Sequence, residues 1–381
     1  MFSLMEKKIS CPHFPLCCSA WNGVNDQPFL KAKKFFKEHA EIDLALSVGS
    51  VTGWRTRAKL AVRRGENRPL IGLFISGTHD VCTIPHCAAH HPKINEAVAF
   101  LQRVVDNSLC YDEKTHRGEL RYLQAVVERK SGTVQLTLVI NARDEKRVHF
   151  WQLLSRTLFQ QEPQLWHSIW LNIHPTASNT IFGKEWIHVV GKDVVWEEIA
   201  GVMIPFGPAH FGQANLEMFE KLLRDAQSWI PSELSAVELY AGVGVIGLFL
   251  AQKCTTVIMT EVVATARPYF ELAKKNLVPS IQSRLTYHTL PAEKSLSFLE
   301  EADLLIVDPP RKGLDSAVIE NSCSSKSLRY IAYISCNWDS FERDCTKLLA
   351  SEWRIVQARS YLFFPGTNHL ETFVVFAKTS G

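Results

Sequence analysis

Cys336 is the residue whose type and setting most clearly suggest chemistry. It follows an apolar, β-rich run, Ile331 to Ile334, and a helix is predicted to begin at Trp338. Open α/β sheets place their chemistry at the carboxyl ends of strands. A helix start close to a cysteine is also expected to stabilise a thiolate. Free cysteine is among the most buried residue types, so a plain core role for Cys336 is the alternative.

A glycine-rich turn, Tyr240–Gly247, is a second candidate site. It follows a predicted strand, Ala236–Tyr240, and contains the G-x-G-x-x-G spacing of dinucleotide-binding turns. Glu261 ends the next predicted strand, where it is placed to hydrogen-bond ribose hydroxyls. NAD and S-adenosylmethionine both present an adenosine ribose, so the pattern alone fits either cofactor.

A third candidate is Asp308-Pro309-Pro310-Arg311, at the end of a predicted strand, Leu304–Asp308. Two prolines neither continue a sheet nor easily start a helix core, so they predict a rigid extended loop at the sheet rim. An acid followed by two prolines here resembles the motif of S-adenosylmethionine-dependent methyltransferases that act on planar nitrogen or nucleobase targets. A dehydrogenase has no use for this loop.

The elements that must position these residues form an alternating pattern. Beyond Leu216–Trp229, which has helical spacing, strand candidates recur with helical stretches between them, and this is typical of a mostly parallel, doubly wound sheet. The last two strands, Arg354–Leu362 and Glu371–Ala377, have no helix between them, which predicts a hairpin closing the sheet edge.

The upstream half has a different pattern. A helix over Pro92–Asn107, a β-hairpin over residues 117–141, a helix over Lys146–Gln160 and two further strands predict a compact α+β domain. The predicted division is a cysteine-containing N-terminal segment at 1–45, a central α+β domain at 46–200, and an α/β domain at 201–381.

Composition limits the function classes only broadly. With 381 residues, 46% of them apolar and 21% charged, the chain is typical of a soluble globular protein with two domains. The net charge of +3 does not by itself indicate a nucleic-acid partner, but the stretch between Arg55 and Arg68 contains six basic residues and one acid, Glu66. This stretch favours nucleic-acid contact over an ordinary solvated face. The absence of a secretory leader and of a membrane-spanning run predicts a cytoplasmic protein, and the ten cysteines suit a reducing compartment.

Five motifs occur in one order over the C-terminal half, and together they resemble the family of RNA uracil-carbon-5 methyltransferases. They are Phe211-Gly212-Gln213-Ala214-Asn215, the Tyr240–Gly247 turn, Asp308-Pro309-Pro310-Arg311, Ser335-Cys336-Asn337 and Thr367-Asn368-His369-Leu370-Glu371. Arg117-Gly118-Glu119-Leu120-Arg121-Tyr122 extends the likeness to the short ribosomal-RNA branch, which lacks an N-terminal β-barrel domain. The resemblance implies a Rossmann-like class I methyltransferase domain preceded by a smaller α+β RNA-binding domain.

The resemblance also implies roles for individual residues. Cys336 would add to carbon 6 of uracil, because carbon 5 is not nucleophilic enough to take a methyl group directly. Glu371 would then remove the carbon-5 proton. The cofactor S-adenosylmethionine would contact Gln213, Tyr240, Glu261 and Asp308. Phe211 is a candidate to stack on the flipped base, with a core role as the alternative. Arg311 would hold a phosphate or its own loop.

The N-terminal cysteines raise the question of a metal. Cys11, Cys17 and Cys18, with Cys82 and Cys87 further on, have the ligand type of an iron–sulfur or zinc site, or they are scattered thiols in a loop-rich region. Related iron–sulfur members carry a C-x5-C-x2-C pattern and a fourth, distant cysteine. Cys11, Cys17 and Cys87 match three of these four positions, but Ala20 occupies the expected third. The prediction is a degenerate 4Fe–4S site.

The predicted function is S-adenosylmethionine-dependent methylation of carbon 5 of a uridine in structured RNA, ribosomal rather than transfer RNA, by a monomer that does not contact membranes. An NAD-dependent oxidoreductase and a catalytically inactive RNA-binding factor are the alternatives. The Asp308-Pro309-Pro310 loop argues against the first, and the intact Cys336 and Glu371 argue against the second.

Overall fold

A computed structural model describes residues 26–142, 144–175 and 180–379. By backbone contacts the chain divides into two compact units. The first unit contains Ser50–Glu197 and Gly207–Asn215, and the second contains the described parts of Val24–Gly49, Glu198–Phe206 and Leu216–Gly381. In this division the described residues from Asp26 to Gly49 belong to the second unit. The predicted domain boundaries stay a prediction.

The helices are, in chain order, α1 (Asp26–Ala40), α2 (Pro92–Val104), α3 (Glu145–Gln161), α4 (Leu216–Trp229), α5 (Val245–Leu250), α6 (Arg267–Lys274), α7 (Pro279–Gln282), α8 (Ser316–Ser324) and α9 (Trp338–Leu349). Short 3-10 helices cover Asn107–Leu109, Ala264–Ala266, Ala292–Lys294 and Leu296–Glu301.

The strands are β1 (Ala45–Ser47), β2 (Arg57–Arg63), β3 (Leu70–Phe74), β4 (Val81–Thr83), β5 (Leu120–Glu128), β6 (Thr133–Ile140), β7 (Trp166–Ile173), β8 (Glu185–Gly191), β9 (Val195–Ile199), β10 (Val202–Phe206), β11 (Ser235–Leu239), β12 (Thr256–Glu261), β13 (Leu285–Thr289), β14 (Leu304–Val307), β15 (Tyr330–Ser335), β16 (Trp353–Tyr361) and β17 (Glu371–Lys378).

The first unit is built on a seven-stranded sheet in the order β4-β3-β2-β5-β6-β7-β8. Neighbouring strands are antiparallel except β6 and β7, which α3 connects in parallel. Helix α2 contacts β3, β5 and β6, and α3 contacts β7 and β8. The predicted hairpin at β5 and β6 is present. Gly118, at φ +86°, is required before it, because an added Cβ would lie 2.0 Å from the carbonyl oxygen of Cys110.

The second unit is built on an eight-stranded sheet in the order β1-β16-β17-β15-β14-β11-β12-β13. The strands from β11 to β15 are parallel to one another, and β17 is antiparallel to both β15 and β16. The chain adds β12 and β13 on one side of β11 and then places β14 on the other side. That reversal is the topological switch point at which doubly wound sheets bind ligands.

Both faces of this sheet are covered, as the apolar run of β14 predicts. One face carries Leu304 and Ile306 into a core shared with α4, α5 and α6, and the other carries Leu305 and Val307 into a core with α1, α8 and α9. The predicted β16–β17 hairpin forms, but it does not close the edge, because β1 pairs in parallel with β16 and lies outside it.

Helix α1 was not predicted, and it supplies part of the second unit's core. Phe36 has no exposed surface, and its ring centroid lies 5.9 Å from that of Trp338 and 6.0 Å from that of Phe341. Both partners belong to α9, the helix that follows Cys336. The N-terminal segment therefore supports the element that begins beside the candidate nucleophile.

We expect Phe36→Ala to lower the free energy of unfolding by about 3–5 kcal/mol, because it leaves a cavity against α9. Leu30→Ala, on the same helix at a side chain that is 53% exposed, should change it by less than about 0.5 kcal/mol. Urea unfolding followed by tryptophan fluorescence measures both. Equal, small losses in the two variants would mean that α1 is not packed on this core.

Candidate active site

The register of the second sheet brings the predicted catalytic residues to one edge. Val307 pairs with Tyr333 in the parallel β14–β15 ladder, and Ser335 pairs with Thr372 in the antiparallel β15–β17 ladder. Cys336, the residue after β15, therefore lies at the same end of the sheet as Glu371, the first residue of β17.

The turn at Cys336 is held by side-chain hydrogen bonds. Asn337 caps α9, and its side chain accepts from the backbone N–H of Ser340 at 3.1 Å. Ser335 Oγ donates to the carbonyl oxygen of Asn337 at 3.0 Å and accepts from its N–H at 3.3 Å. These bonds fix the backbone on both sides of Cys336, which is itself half-buried.

The electrostatic setting of Cys336 differs from the expectation. Burial, and then the negative charges of Glu371 and Asp308, raise the pKa of the thiol to about 11, while Arg311 acts to lower it. Desolvation and two carboxyl groups therefore outweigh the stabilisation of a thiolate that was expected from the helix start.

Glu371 is a buried carboxyl group, 1% exposed. Among the described residues, its Oε1 has no hydrogen-bond partner. Burial, and then the charge of Asp308, raise its pKa well above the ordinary value. A carboxylate in this setting is a stronger base than one in water, because the neutral form is favoured.

Asp308 begins the rigid loop that was predicted at the sheet rim. Burial raises its pKa to about 7. Past the two prolines, Arg311 Nη2 lies 3.2 Å from Nε2 of His369, which belongs to the segment leading into β17. Burial, and then the charge of Arg311, lower the pKa of His369, so its neutral ring is available to accept from the guanidinium.

The loop from Pro310 to Asp315 is clamped by a buried carboxylate. Asp344 of α9 has no exposed surface, and its Oδ2 accepts from the N–H of Leu314 and from the hydroxyl of Tyr333, both at 2.8 Å. Gly313, at φ +81°, has no room for a side chain, since an added Cβ would lie 2.5 Å from Asp344 Oδ2.

Arg343 completes the clamp. Its guanidinium donates to Asp344 Oδ1 at 2.6 and 2.8 Å and to the carbonyl oxygen of Lys312 at 2.8 Å. The backbone that carries Arg311 is thereby tied to the helix that follows Cys336.

The glycine-rich turn forms between β11 and α5. Tyr240 and Gly242 adopt φ values of +60° and +57°, and an added Cβ at Gly242 would meet no atom within 4 Å. The turn therefore borders open space. Glu261 accepts from the N–H groups of Gly242 and Val263, each at 2.9 Å, which orients its carboxylate beside the turn.

Two further residues support this turn. Tyr240 donates from its hydroxyl to Asp315 Oδ2 at 3.0 Å. Glu238, inside β11, accepts from the N–H of Gly247 at 2.8 Å, and an added Cβ at Gly247 would lie 2.4 Å from that carboxylate oxygen. The third glycine of the fingerprint is thus needed for close packing between helix and strand.

The remaining predicted residues belong to the first unit or lie outside the described residues. Gln213 and Phe211 belong to the first unit; Phe211 is 75% exposed, which is incompatible with a core role, and the cofactor role of Gln213 stays a prediction. Cys87 is buried in the first unit, while Cys11, Cys17 and Ala20 lie outside the described residues.

Among the described residues, no group of three or more His, Cys, Asp or Glu side chains is arranged to hold a metal ion. The 4Fe–4S site remains a prediction. Within the same residues, no helix is both long and apolar enough to cross a membrane.

Sequence reasoning missed three residues of the site, Glu238, Asp315 and Asp344. For Asp344 a signal existed, since it lies on the apolar face of α9 with Phe341, Cys345 and Leu348, where a charge is unexpected without a buried partner.

The comparisons with known proteins agree with this geometry. The family model for tRNA (uracil-5-)-methyltransferases matches residues 27–379. The chain belongs to this family. An uncharacterised RNA methyltransferase of Protochlamydia amoebophila is 40% identical over 385 residues, covering 99% of this chain and 100% of that protein. An uncharacterised RNA methyltransferase of Geobacter sulfurreducens is 28% identical, covering 89% and 68%.

Among solved structures, the tRNA (uracil-54, C5)-methyltransferase of Pyrococcus abyssi in complex with S-adenosyl-L-homocysteine has a TM-score of 0.76 at 21% identity, over 95% of this chain and 86% of that one. The fold is therefore the Rossmann-like methyltransferase fold that was predicted. The chain is an S-adenosylmethionine-dependent RNA methyltransferase of the uracil-5 family, and the NAD-dependent alternative is discarded.

The residues present fit S-adenosylmethionine. The turn at Gly242 borders open space, and Glu261 is oriented beside it. Asp308 follows β14, on the other side of the switch point. Carboxylates at these strand ends suit ribose hydroxyls and a cationic sulfonium.

Glu238 makes the stability of the folded protein depend on pH. Burial, and then the charges of Asp308 and Glu261, raise its pKa to about 8, although the Gly247 N–H acts in the opposite direction. The folded protein holds the proton of Glu238 more tightly than the unfolded chain does. The contribution of this proton to the free energy of unfolding is therefore complete below about pH 4.3 and is lost as the pH rises towards 8.

We expect Glu238→Gln, whose amide oxygen still accepts from Gly247, to remove this dependence. The difference in the free energy of unfolding, variant minus wild type, should rise by roughly 1 kcal/mol or more from pH 5 to pH 8. Urea unfolding at both pH values measures it, with the exposed Glu300→Gln as control. A difference that does not change with pH would show that Glu238 is ionised in the folded protein throughout.

Proposed function

We propose that this enzyme methylates carbon 5 of a uridine in ribosomal RNA, through a covalent adduct between Cys336 and carbon 6 of the base. The observation that carries the proposal is the pairing of β15 with β17, which brings a half-buried thiol and a buried carboxyl group to the same end of the sheet. One oxygen of that carboxyl group has no hydrogen-bond partner in the part of the chain that the structure describes. A nucleophile and a base on adjacent rigid strands are what the two halves of this reaction require.

The first half of the reaction belongs to Cys336. Its thiolate adds to carbon 6, the electrons of the carbon 5–carbon 6 double bond move towards carbon 5 and the carbonyl oxygen, and an enolate results. S-adenosylmethionine, when bound, would supply the electrophilic methyl group that carbon 5 acquires, with its sulfur–methyl bond breaking to leave the neutral thioether S-adenosylhomocysteine.

The second half belongs to Glu371. Its carboxylate takes the proton from carbon 5, the electrons of that carbon–hydrogen bond restore the double bond, and the carbon 6–sulfur bond breaks to release the thiolate. The burial that raises the pKa of Glu371 makes its carboxylate a stronger base than a carboxylate in water, and this favours the transfer. Asp308, with a pKa of about 7, keeps negative charge next to Glu371 when it is ionised.

The choice of ribosomal RNA rests on the sequence likeness at residues 117–122. In the first unit, Glu119 accepts from Arg147 at 2.7 Å and from Trp151 Nε1 at 2.5 Å, while the guanidinium of Arg121 lies 5.4 Å from the ring centroid of Tyr111. These contacts join the motif to α3 and to Tyr111 within the first unit. The Pyrococcus abyssi protein acts on transfer RNA, so transfer RNA is the alternative substrate.

We expect transcripts that contain 5-fluorouridine to trap the enzyme, because fluorine at carbon 5 cannot leave as a proton and the Cys336 adduct persists. A denaturing gel should show a heavier protein–RNA band with 5-fluorouridine ribosomal RNA and not with the matching transfer RNA. Cys336→Ser should abolish it, and the buried Cys345→Ser should not. No band with an active enzyme would refute the adduct, and a band with transfer RNA alone would refute the substrate.

We expect Glu371→Gln to lower turnover at least about 100-fold, the usual contribution of a general base. On unmodified RNA, the variant should accumulate a methylated adduct that stays attached to Cys336, visible by mass spectrometry of the intact complex. The matched control is Glu352→Gln, because Glu352 is exposed and lies beside Lys378 at the opposite end of β17 from Glu371. Lost turnover without any adduct would mean that Glu371 acts before the thiol adds, and not as the carbon-5 base.

A further inference from the structure

Cys336 stands in surroundings that oppose its ionisation. The ionisable groups acting on it are Glu371 at the start of β17 and Asp308 and Arg311 in the loop after β14, while Asp339 lies in the first turn of its own helix. Among the groups that act on this thiol within the described residues, only Arg311 carries a positive charge. A nucleophilic thiolate therefore depends on where that one guanidinium is held.

The position of Arg311 is determined from two directions. Its guanidinium is fixed by His369, which accepts at 3.2 Å as a neutral ring with the proton on Nδ1. Its backbone is fixed by the Asp344 clamp, which holds the N–H of Leu314 and, through Arg343, the carbonyl oxygen of Lys312. An otherwise exposed arginine is thus held in the loop after β14, at the end of the sheet where the neighbouring strand β15 leads into Cys336.

We propose that Arg311, positioned by His369, promotes ionisation of the Cys336 thiol, with the proton passing to solvent and the electron pair remaining on sulfur. His369 is a positioning residue, because it acts through Arg311. The inference rests on the proposed role of Cys336, but it concerns the charge state of the free enzyme and needs no RNA to be tested.

The test is the rate at which iodoacetamide alkylates Cys336 as the pH is varied, because only the thiolate reacts. Trypsin releases Cys336 in the peptide Tyr330–Arg343, which contains no other cysteine, so mass spectrometry follows this thiol alone. Two internal references come from the same digest. Half-buried Cys323 reports on reagent activity, and fully buried Cys345 becomes labelled only if the fold opens.

At pH 8 we expect Arg311→Gln to slow alkylation of Cys336 about three- to tenfold and to move its midpoint to higher pH, as loss of an adjacent positive charge requires. His369→Ala should slow it less, and His369→Gln, whose amide oxygen can accept the same N–H, should stay near wild type. Arg354→Gln is the matched control, since Arg354 is exposed and pairs with Ala377 at the far end of β17.

Unchanged alkylation in Arg311→Gln, with Cys345 still protected, would overturn the inference, even if RNA binding weakened. If Arg311→Gln unfolds, Arg311→Lys tests the inference instead. An alkylation rate of Cys336 within about twofold of wild type supports a role for the positive charge, and a slow rate in a folded protein overturns the inference. These outcomes are separate from the proposed function. A Cys336→Ser enzyme that still methylates RNA would refute that function, whereas an alkylation rate independent of Arg311 refutes only this inference.

Discussion

The antiparallel pairing of β17 with β15 is the constraint on which the candidate site depends. Without it, Glu371 would begin an unrelated strand. With it, Ser335 and Thr372 are opposite each other, and Glu371 lies at the same end of the sheet as Cys336. A slip of one residue would turn Glu371 to the other face of the sheet. The apolar residues of β17, buried on both faces in two separate cores, oppose such a slip. Register, and not loop conformation, thus brings the proposed nucleophile and the proposed base to the same end of the sheet.

The same pairing places like charges together in a buried environment. Glu371, Asp308 and Glu238 share one sheet edge, and each is harder to ionise than in water. A site of this kind holds protons readily and favours a bound cation. Both properties suit a reaction that removes a proton from carbon and uses a sulfonium donor. The cost is a poorly ionised thiol, and an arginine held beside Cys336 offsets it.

Much of this could be predicted from local sequence. Helix α4 and strand β15 have the predicted ends, because apolar periodicity and the capping residue Asn337 are visible in short windows. The order of the motifs indicated the edge at which Cys336 and Glu371 meet. The clamp at Asp344 and the Arg311–His369 contact were beyond prediction, since each joins side chains whose proximity exists only after the sheet has formed. Helix α1 was missed for the same reason, because its partners lie in α9.

Helix α1 has a consequence for synthesis of the protein. Its apolar face leaves the ribosome well before Trp338 and Phe341, on which Phe36 packs, because these residues follow roughly 300 positions later. Strand β1 likewise has no partner in this sheet until β16 has been made. During translation the apolar face of α1 must therefore remain uncovered, or be bound by a chaperone, until α9 has been made. The core between α1 and α9 thus forms only after all the strands from β2 to β15 have been synthesised.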